Sequence, residues 1–310
     1  MKRVVSMLPA ATEIVAALGC VDWLVAVSHD CSYPPKVRSL PWVTRCTFDT
    51  EGQSSRQIDE IVRSKMSAGE PLFVVDRDVL RRTRPDVVIT QKLCDVCAVS
   101  PDEVQRALAD VALQAEVLEL GPQSLRDVLE DVVRVARVLG EVQRGETLYK
   151  QLCERLEAVR RRAEGHRRRP SVVVLEWLDP PYCCGHWIPE LVEIAGGQQQ
   201  LGVRDGDSHP LAWDAIREVD PDVVVVACCG YSKERALADA QRPELLAEFR
   251  RLRAFHEGRV WLSDGTGLFT CPGPRVVDTC ELLQTVLFYD PSIPPPSHAV
   301  RLAPDLLARA

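Results

Sequence analysis

From Ser124 to Glu164 the chain runs without a strand-like segment, and this constrains the fold more than any other feature. Leu125, Val128, Val132, Val135, Ala136 and Leu139 keep helical spacing; Gly140 interrupts it, and Leu148, Leu152, Leu156 and Val159 resume it. The spacing predicts one long helix, with a kink allowed at Gly140, ended by the basic run within 160–169 and by Pro170. On one side, short apolar runs at 3–8, 23–27, 85–90 and 115–120 alternate with helical segments. On the other, strands near 171–177, 222–228 and 258–263 alternate with helices near 188–195, 211–218, 232–239, 243–253 and 274–288. Continuous Val, Ile and Leu runs suit parallel strands buried on both faces. The expected fold is α/β, two Rossmann-like lobes bridged by a single long α-helix. The lobes span 1–123 and 170–310, the linking helix 124–169, and the proline-rich tail after Pro291 is expected to be extended.

A chain of 310 residues is long enough for two separate cores. A net charge of −7 argues against nucleic acid as the main partner, since a phosphate-reading surface is usually basic. No apolar stretch reaches the roughly 20 residues that span a bilayer. Lys2-Arg3 and the apolar run that ends at Leu18-Gly19-Cys20 have the outline of a lipoprotein leader, but Pro9 and Glu13 interrupt it. Val4 to Leu8 reads better as a strand and Thr12 to Leu18 as the next helix, with Gly19 as its stop. The chain is therefore expected to keep its first residues and to be cytoplasmic. In that compartment twelve cysteines point to metal ligands, redox work or plain burial rather than disulfides.

Nine of those cysteines follow strand-like runs: Cys31, Cys46, Cys94, Cys97, Cys183, Cys184, Cys228, Cys229 and Cys271. Ligands of open α/β sheets bind outside the carboxyl ends of the strands, so the pattern predicts a binding cleft with a thiol-rich rim. Cys94-Asp95-Val96-Cys97 supplies half of a zinc site and would need two further ligands. Adjacent residues of an extended segment point in different directions, so one cysteine of each adjacent pair should face the cleft. Cys94, Cys97, Cys184, Cys229 and His186 are the expected metal-contacting set. Contact with a ligand without a metal bond, redox chemistry and apolar burial remain as other roles for these thiols. His29-Asp30-Cys31 places three polar or ligating residues in one loop. Aromatics are scarce, yet Tyr33, Trp42, Trp177, Tyr182, Trp187, Tyr231 and Phe269 fall near strand ends. Of these, Tyr33, Trp177, Tyr182, Trp187 and Phe269 are the expected ligand-contacting residues, because flat apolar walls suit a macrocycle. Gly265-Thr266-Gly267 lacks the glycine and helix of a dinucleotide fingerprint, and no G-x-S-x-G elbow is present.

This order of segments resembles the helix-linked periplasmic-binding-protein class that captures vitamin B12, iron–siderophore chelates, heme or metal ions for ABC importers, the B12-binding members above all. Arg3 to Glu13 is similar to their opening strand and helix, and Ser32-Tyr33-Pro34-Pro35 to the segment that supplies an aromatic wall to the corrin. Pro85-Asp86 and Pro221-Asp222 each open a strand in the way the family's strands open. Gly185 to Leu191 with Ala195-Gly196-Gly197 resembles the helix after the first strand of the second lobe, and Pro272-Gly273-Pro274-Arg275 the start of the last long helix. The resemblance implies a non-catalytic binding protein that captures cobalamin or another metal chelate in a cleft between the lobes. The leader-free reading and the density of cysteines depart from the exported members, which leaves docking to an ABC transporter open. The alternative is a cytosolic metalloprotein or redox enzyme whose cysteines hold zinc or an Fe–S cluster.

Overall fold

The computed structural model describes residues 1–92 and 99–307, and by its contacts the chain divides into two compact units. The first comprises Met1–Gln53, Glu60–Leu152 and Pro272–Pro274; the second comprises Ser54–Asp59, Cys153–Cys271 and Arg275–Ala310.

The first unit begins with β1 (Val4–Ser6), α1 (Pro9–Ala17) and β2 (Leu24–Val27). β3 (Thr44–Cys46) follows, then α2 (Ser55–Ser67), whose first turn groups with the second unit, and β4 (Phe73–Val75), which pairs antiparallel with β3. Next come α3 (Arg77–Thr83), β5 (Val87–Gln91), α4 (Pro101–Asp110), β6 (Glu116–Leu120) and α5 (Leu125–Leu139). Among the described residues β2, β1, β5 and β6 form a parallel sheet in that order. All of β1 and β5 is buried, as the continuous apolar runs require. Ser100 caps α4 as its sequence suggests, accepting from the Glu103 N–H at 3.4 Å. The β3–β4 pair was not legible, because its strands are three residues each, carry no long apolar run and are separated by α2.

The helical stretch after Ser124 is two helices rather than one kinked rod. α5 ends at Gly140, which takes a left-handed φ of 79°, and α6 (Val142–Glu164) starts two residues later. The reason is steric: Gly140 adopts the helix-ending conformation that a side chain disfavours. The linking helix is α6, whose 23 residues, roughly 35 Å at the α-helical rise, carry the chain from the first unit into the second.

The second unit holds β7 (Ser171–Leu178), β8 (Pro181–Cys183), α7 (Ile188–Ile194), β9 (Gln198–Gln199), α8 (Trp213–Val219), β10 (Val223–Val226), α9 (Lys233–Ala240) and α10 (Pro243–Phe249). It closes with α11 (Arg253–His256), β11 (Val260–Ser263), α12 (Val276–Leu287), β12 (Ala299–Leu302) and α13 (Pro304–Leu307). The sheet order is β12-β11-β10-β7-β8, with β9 against the start of β7. The tail is therefore more than extended chain: β12 adds an antiparallel edge to β11.

Both Pro-Asp pairs have the same physical role. The Asp86 carboxylate accepts from the Arg3 N–H at 2.7 Å and pins the start of β1 beside β5. The Asp222 carboxylate accepts from the Ser171 N–H at 2.9 Å and its hydroxyl at 3.1 Å, and so pins β7 beside β10. Each carboxylate satisfies a backbone donor at the end of a ladder, where the sheet itself cannot.

Candidate functional site

In each sheet the strand order reverses beside the first strand of the unit, between β1 and β5 and between β7 and β10. The carboxyl ends of such strands are where an open α/β sheet presents ligands.

In the first unit β2 delivers the turn Ser28-His29-Asp30-Cys31, and β3 brings Thr44 back beside it. Thr44 Oγ1 donates to Ser28 Oγ at 3.0 Å and accepts from the His29 backbone N–H at 3.3 Å. His29 Nδ1 lies 2.8 Å from the same hydroxyl, and its ring tilts against Phe73 at 5.7 Å. Cys31 is buried behind this turn, its sulfur 3.1 Å from Thr12 Oγ1; Thr12 donates to Ser6, and Ser6 to the Leu8 carbonyl. With each hydroxyl proton already directed onward, the thiol is the donor to Thr12. Burial pushes its pKa up to about 12. Further along the connection, Tyr33 and Trp42 remain 46% and 58% exposed, unusual for large aromatics. Trp42 pairs through its backbone with Val27, the last residue of β2.

In the second unit Trp177 sits opposite Tyr182 across β7 and β8, and both are half-buried. Trp177 packs on Tyr231 at 5.2 Å and donates from Nε1 to the Ser55 carbonyl at 3.2 Å. Beyond β10, Cys228 points inward and is fully buried, whereas Cys229 is exposed. Alternation thus separates this pair as expected. A side chain at Gly265 would meet the Cys228 carbonyl, which lets the turn after β11 close tightly over the end of β10.

The other expected contacts lie elsewhere. Trp187 and Phe269 are buried core residues, joined by a 3.1 Å bond from Trp187 Nε1 to the Phe269 carbonyl. Cys184 is fully buried beside Gly202, with its thiol pushed well up by desolvation. Its neighbour Cys183 is also buried, accepting from the His209 N–H at 3.3 Å. His186 is half-buried at a left-handed φ of 54° and stacked on Trp187; burial lowers its pKa, so the ring is neutral near pH 7. Cys94 and Cys97 lie outside the described residues. Among the described residues no three His, Cys, Asp or Glu side chains come together to hold a metal ion. The expectation of a thiol-rich rim is corrected accordingly: of the strand-end cysteines described, Cys31, Cys183, Cys184, Cys228 and Cys271 are buried, Cys46 is half-buried and Cys229 alone is exposed. The physical reason is that apolar thiols are among the side chains most readily packed inside.

A separate cavity of about 250 Å³ lies in the second unit against Ser55, Arg56, Asp179, Asp239 and Arg242. Its walls are charged, and it is smaller than the roughly 300–1,000 Å³ of ligand pockets, so it is unsuited to a macrocycle. Among the described residues no helix is long and apolar enough to cross a membrane.

No curated protein matches the sequence significantly. Solved structures do. A periplasmic heme-binding protein from Pseudomonas aeruginosa shares 21% identity at a TM-score of 0.69, over 97% of either chain. The periplasmic heme-binding protein RhuT from Roseiflexus sp. RS-1, in apo form, shares 20% at 0.67, over 93% of this chain and 98% of its own. The periplasmic vitamin B12-binding protein BtuF of Vibrio cholerae shares 20% at 0.64, over 92% and 96%. At these identities the likeness is one of fold: two α/β lobes joined by a helix. The family model described as periplasmic binding protein matches residues 4–264. With most of its length so matched, the chain belongs to the periplasmic binding protein family.

Proposed function

We propose that this protein is a non-catalytic binder of a flat metal chelate, a corrin or a porphyrin, taken up at the carboxyl ends of its strands. The observation that carries the reading is the exposed pair Tyr33 and Trp42 on the connection after β2. Large aromatics left in water form an apolar surface that a macrocycle can cover, gaining area burial and stacking. Family membership supports a binding role, and solved relatives named for heme and for vitamin B12 support the ligand class.

The test is a titration of the full chain with hemin and with hydroxocobalamin, followed by quenching of tryptophan fluorescence. Saturable binding of one of them is expected, and the double replacement Tyr33→Ala, Trp42→Ala should weaken it by about tenfold or more, each lost stacking contact being worth roughly 0.5–1.5 kcal/mol. Absence of saturable binding with both chelates overturns the reading.

A further inference from the structure

We infer that His29 is the protein's axial ligand to the metal of the bound chelate, through its Nε2 atom. The inference rests on the binding function proposed above and adds the ligating atom to it.

The argument is one of proton accounting. A threonine hydroxyl has one proton to donate. Thr44 gives its proton to Ser28 Oγ, at 3.0 Å, and Ser28 Oγ also accepts from the Asp30 N–H at 3.3 Å. Thr44 Oγ1 is thus left with lone pairs toward His29, one taken by the backbone N–H at 3.3 Å. The 2.8 Å contact from the ring Nδ1 to the same oxygen is then a bond in which Nδ1 carries the hydrogen. In the neutral ring this places the free lone pair on Nε2. Metal-ligating imidazoles are built in this way, the second nitrogen donating to a fixed acceptor that sets tautomer and ring orientation. Phe73 packs against the ring and restricts it further.

Nε2 is not consumed by the protein. Asp30 Oδ2 stands 3.6 Å from it, close enough to pair with a protonated ring but beyond hydrogen-bond distance from the neutral one, and the side chain keeps 19% of its surface exposed. The neighbouring thiol is no competitor, since Cys31 is buried and directs its proton to Thr12. His29 also lies on the same connection between β2 and β3 as Tyr33 and Trp42, with Trp42 paired to Val27 two residues before it. One segment therefore supplies both the flat apolar surface and a nitrogen lone pair, the two things a metal macrocycle requires. Imidazole suits both iron and cobalt.

The test is the visible spectrum of full-length protein loaded with hemin or hydroxocobalamin. The wild type should show nitrogen ligation. His29→Ala should keep a chelate through the aromatic surface, lose the nitrogen-ligated spectrum and bind at least several-fold more weakly, and added imidazole should restore the spectrum. Thr44→Val removes the acceptor that sets the tautomer and should reduce the ligated fraction, while Cys153→Ser, on α6, should leave the spectrum unchanged. Circular dichroism melts of the variants establish that they fold. A chelate bound with the same spectrum in wild type and His29→Ala overturns this assignment and leaves the binding function standing. Failure of the wild type to bind hemin and hydroxocobalamin overturns the binding function itself.

Discussion

Asp131 shows how much a single side chain can cost. It lies inside α5 with one oxygen bonded by Arg134 and the other, Oδ2, without a hydrogen-bond partner. Desolvation outweighs Arg134 and raises the carboxyl pKa from 3.8 to about 6. A group with a raised folded pKa contributes stability below its unfolded pKa and loses it as pH rises through the folded one. Between pH 4 and 6 the unfolded chain ionises first, and the protein should lose up to about 3 kcal/mol, at 1.36 kcal/mol for each unit of pKa. Asp131→Asn cannot ionise, so urea midpoints measured across this window should fall in the wild type and stay level in the variant. An equal slope in both proteins would contradict the assignment. At the same scale, the thiols behave as small apolar groups: burial keeps Cys31, Cys184 and Cys228 protonated.

Among the elements, the α5–α6 pair is set by close approach. A side chain at Gly145 on α6 would place its Cβ 2.3 Å from Ala136 Cβ on α5, a distance that no relaxation of flexible atoms relieves. Gly145→Ala gains about 1 kcal/mol in helix propensity but overpacks the contact by roughly 1–3 kcal/mol. The second term is the larger, so Gly145→Ala should lower the thermal midpoint, and Ala136→Gly introduced with it should recover most of the loss. A midpoint raised by Gly145→Ala alone would show that the helices sit farther apart. The elements that carry the candidate site are anchored differently, by the carboxylates of Asp86 and Asp222 that tie the first strand of each sheet to its neighbour.

For the whole molecule, the decisive segment is the first. β1 lies inside its sheet, hydrogen-bonded to β2 on one side and β5 on the other, and α1 buries Ala10, Ala11, Ile14 and Val15. The leader-like run is thus structural, and removing residues 1–19 would expose the inner edges of two strands. A chain so shortened should be insoluble or unfolded, whereas intact-mass analysis of the folded protein should show Val4 to Leu18 retained. A stable, folded product beginning at Cys20 would refute this. The second unit has its own closure, because β12 returns after α12 to cover the outer side of β11.

Much of this architecture was legible in the order of residues alone. Strands β1, β2 and β5, and β7, β10 and β11 after them, announce themselves because a strand buried on both faces must be continuously apolar, whereas β6, at the edge of its sheet, carries Glu116 and Glu119 and is only partly buried; helix-spaced Leu and Val mark α5 and α6. Tyr33 was legible as a candidate through the segment around it. The depth of a thiol was not. Cys184 and Cys229 occupy similar places after strands, yet one is enclosed and the other exposed, because the loop that passes Gly202 covers the first. Nor could the chain order disclose that Thr44, fifteen residues beyond His29, would return to hold Nδ1, or that Trp42 would stay in water. Local patterning determines which segments become strands and helices, since that depends on period and propensity along the chain. Which side chains are enclosed, which protons are directed where, and which lone pair is left free depend on neighbours brought from elsewhere in the chain, and only the tertiary structure decided them.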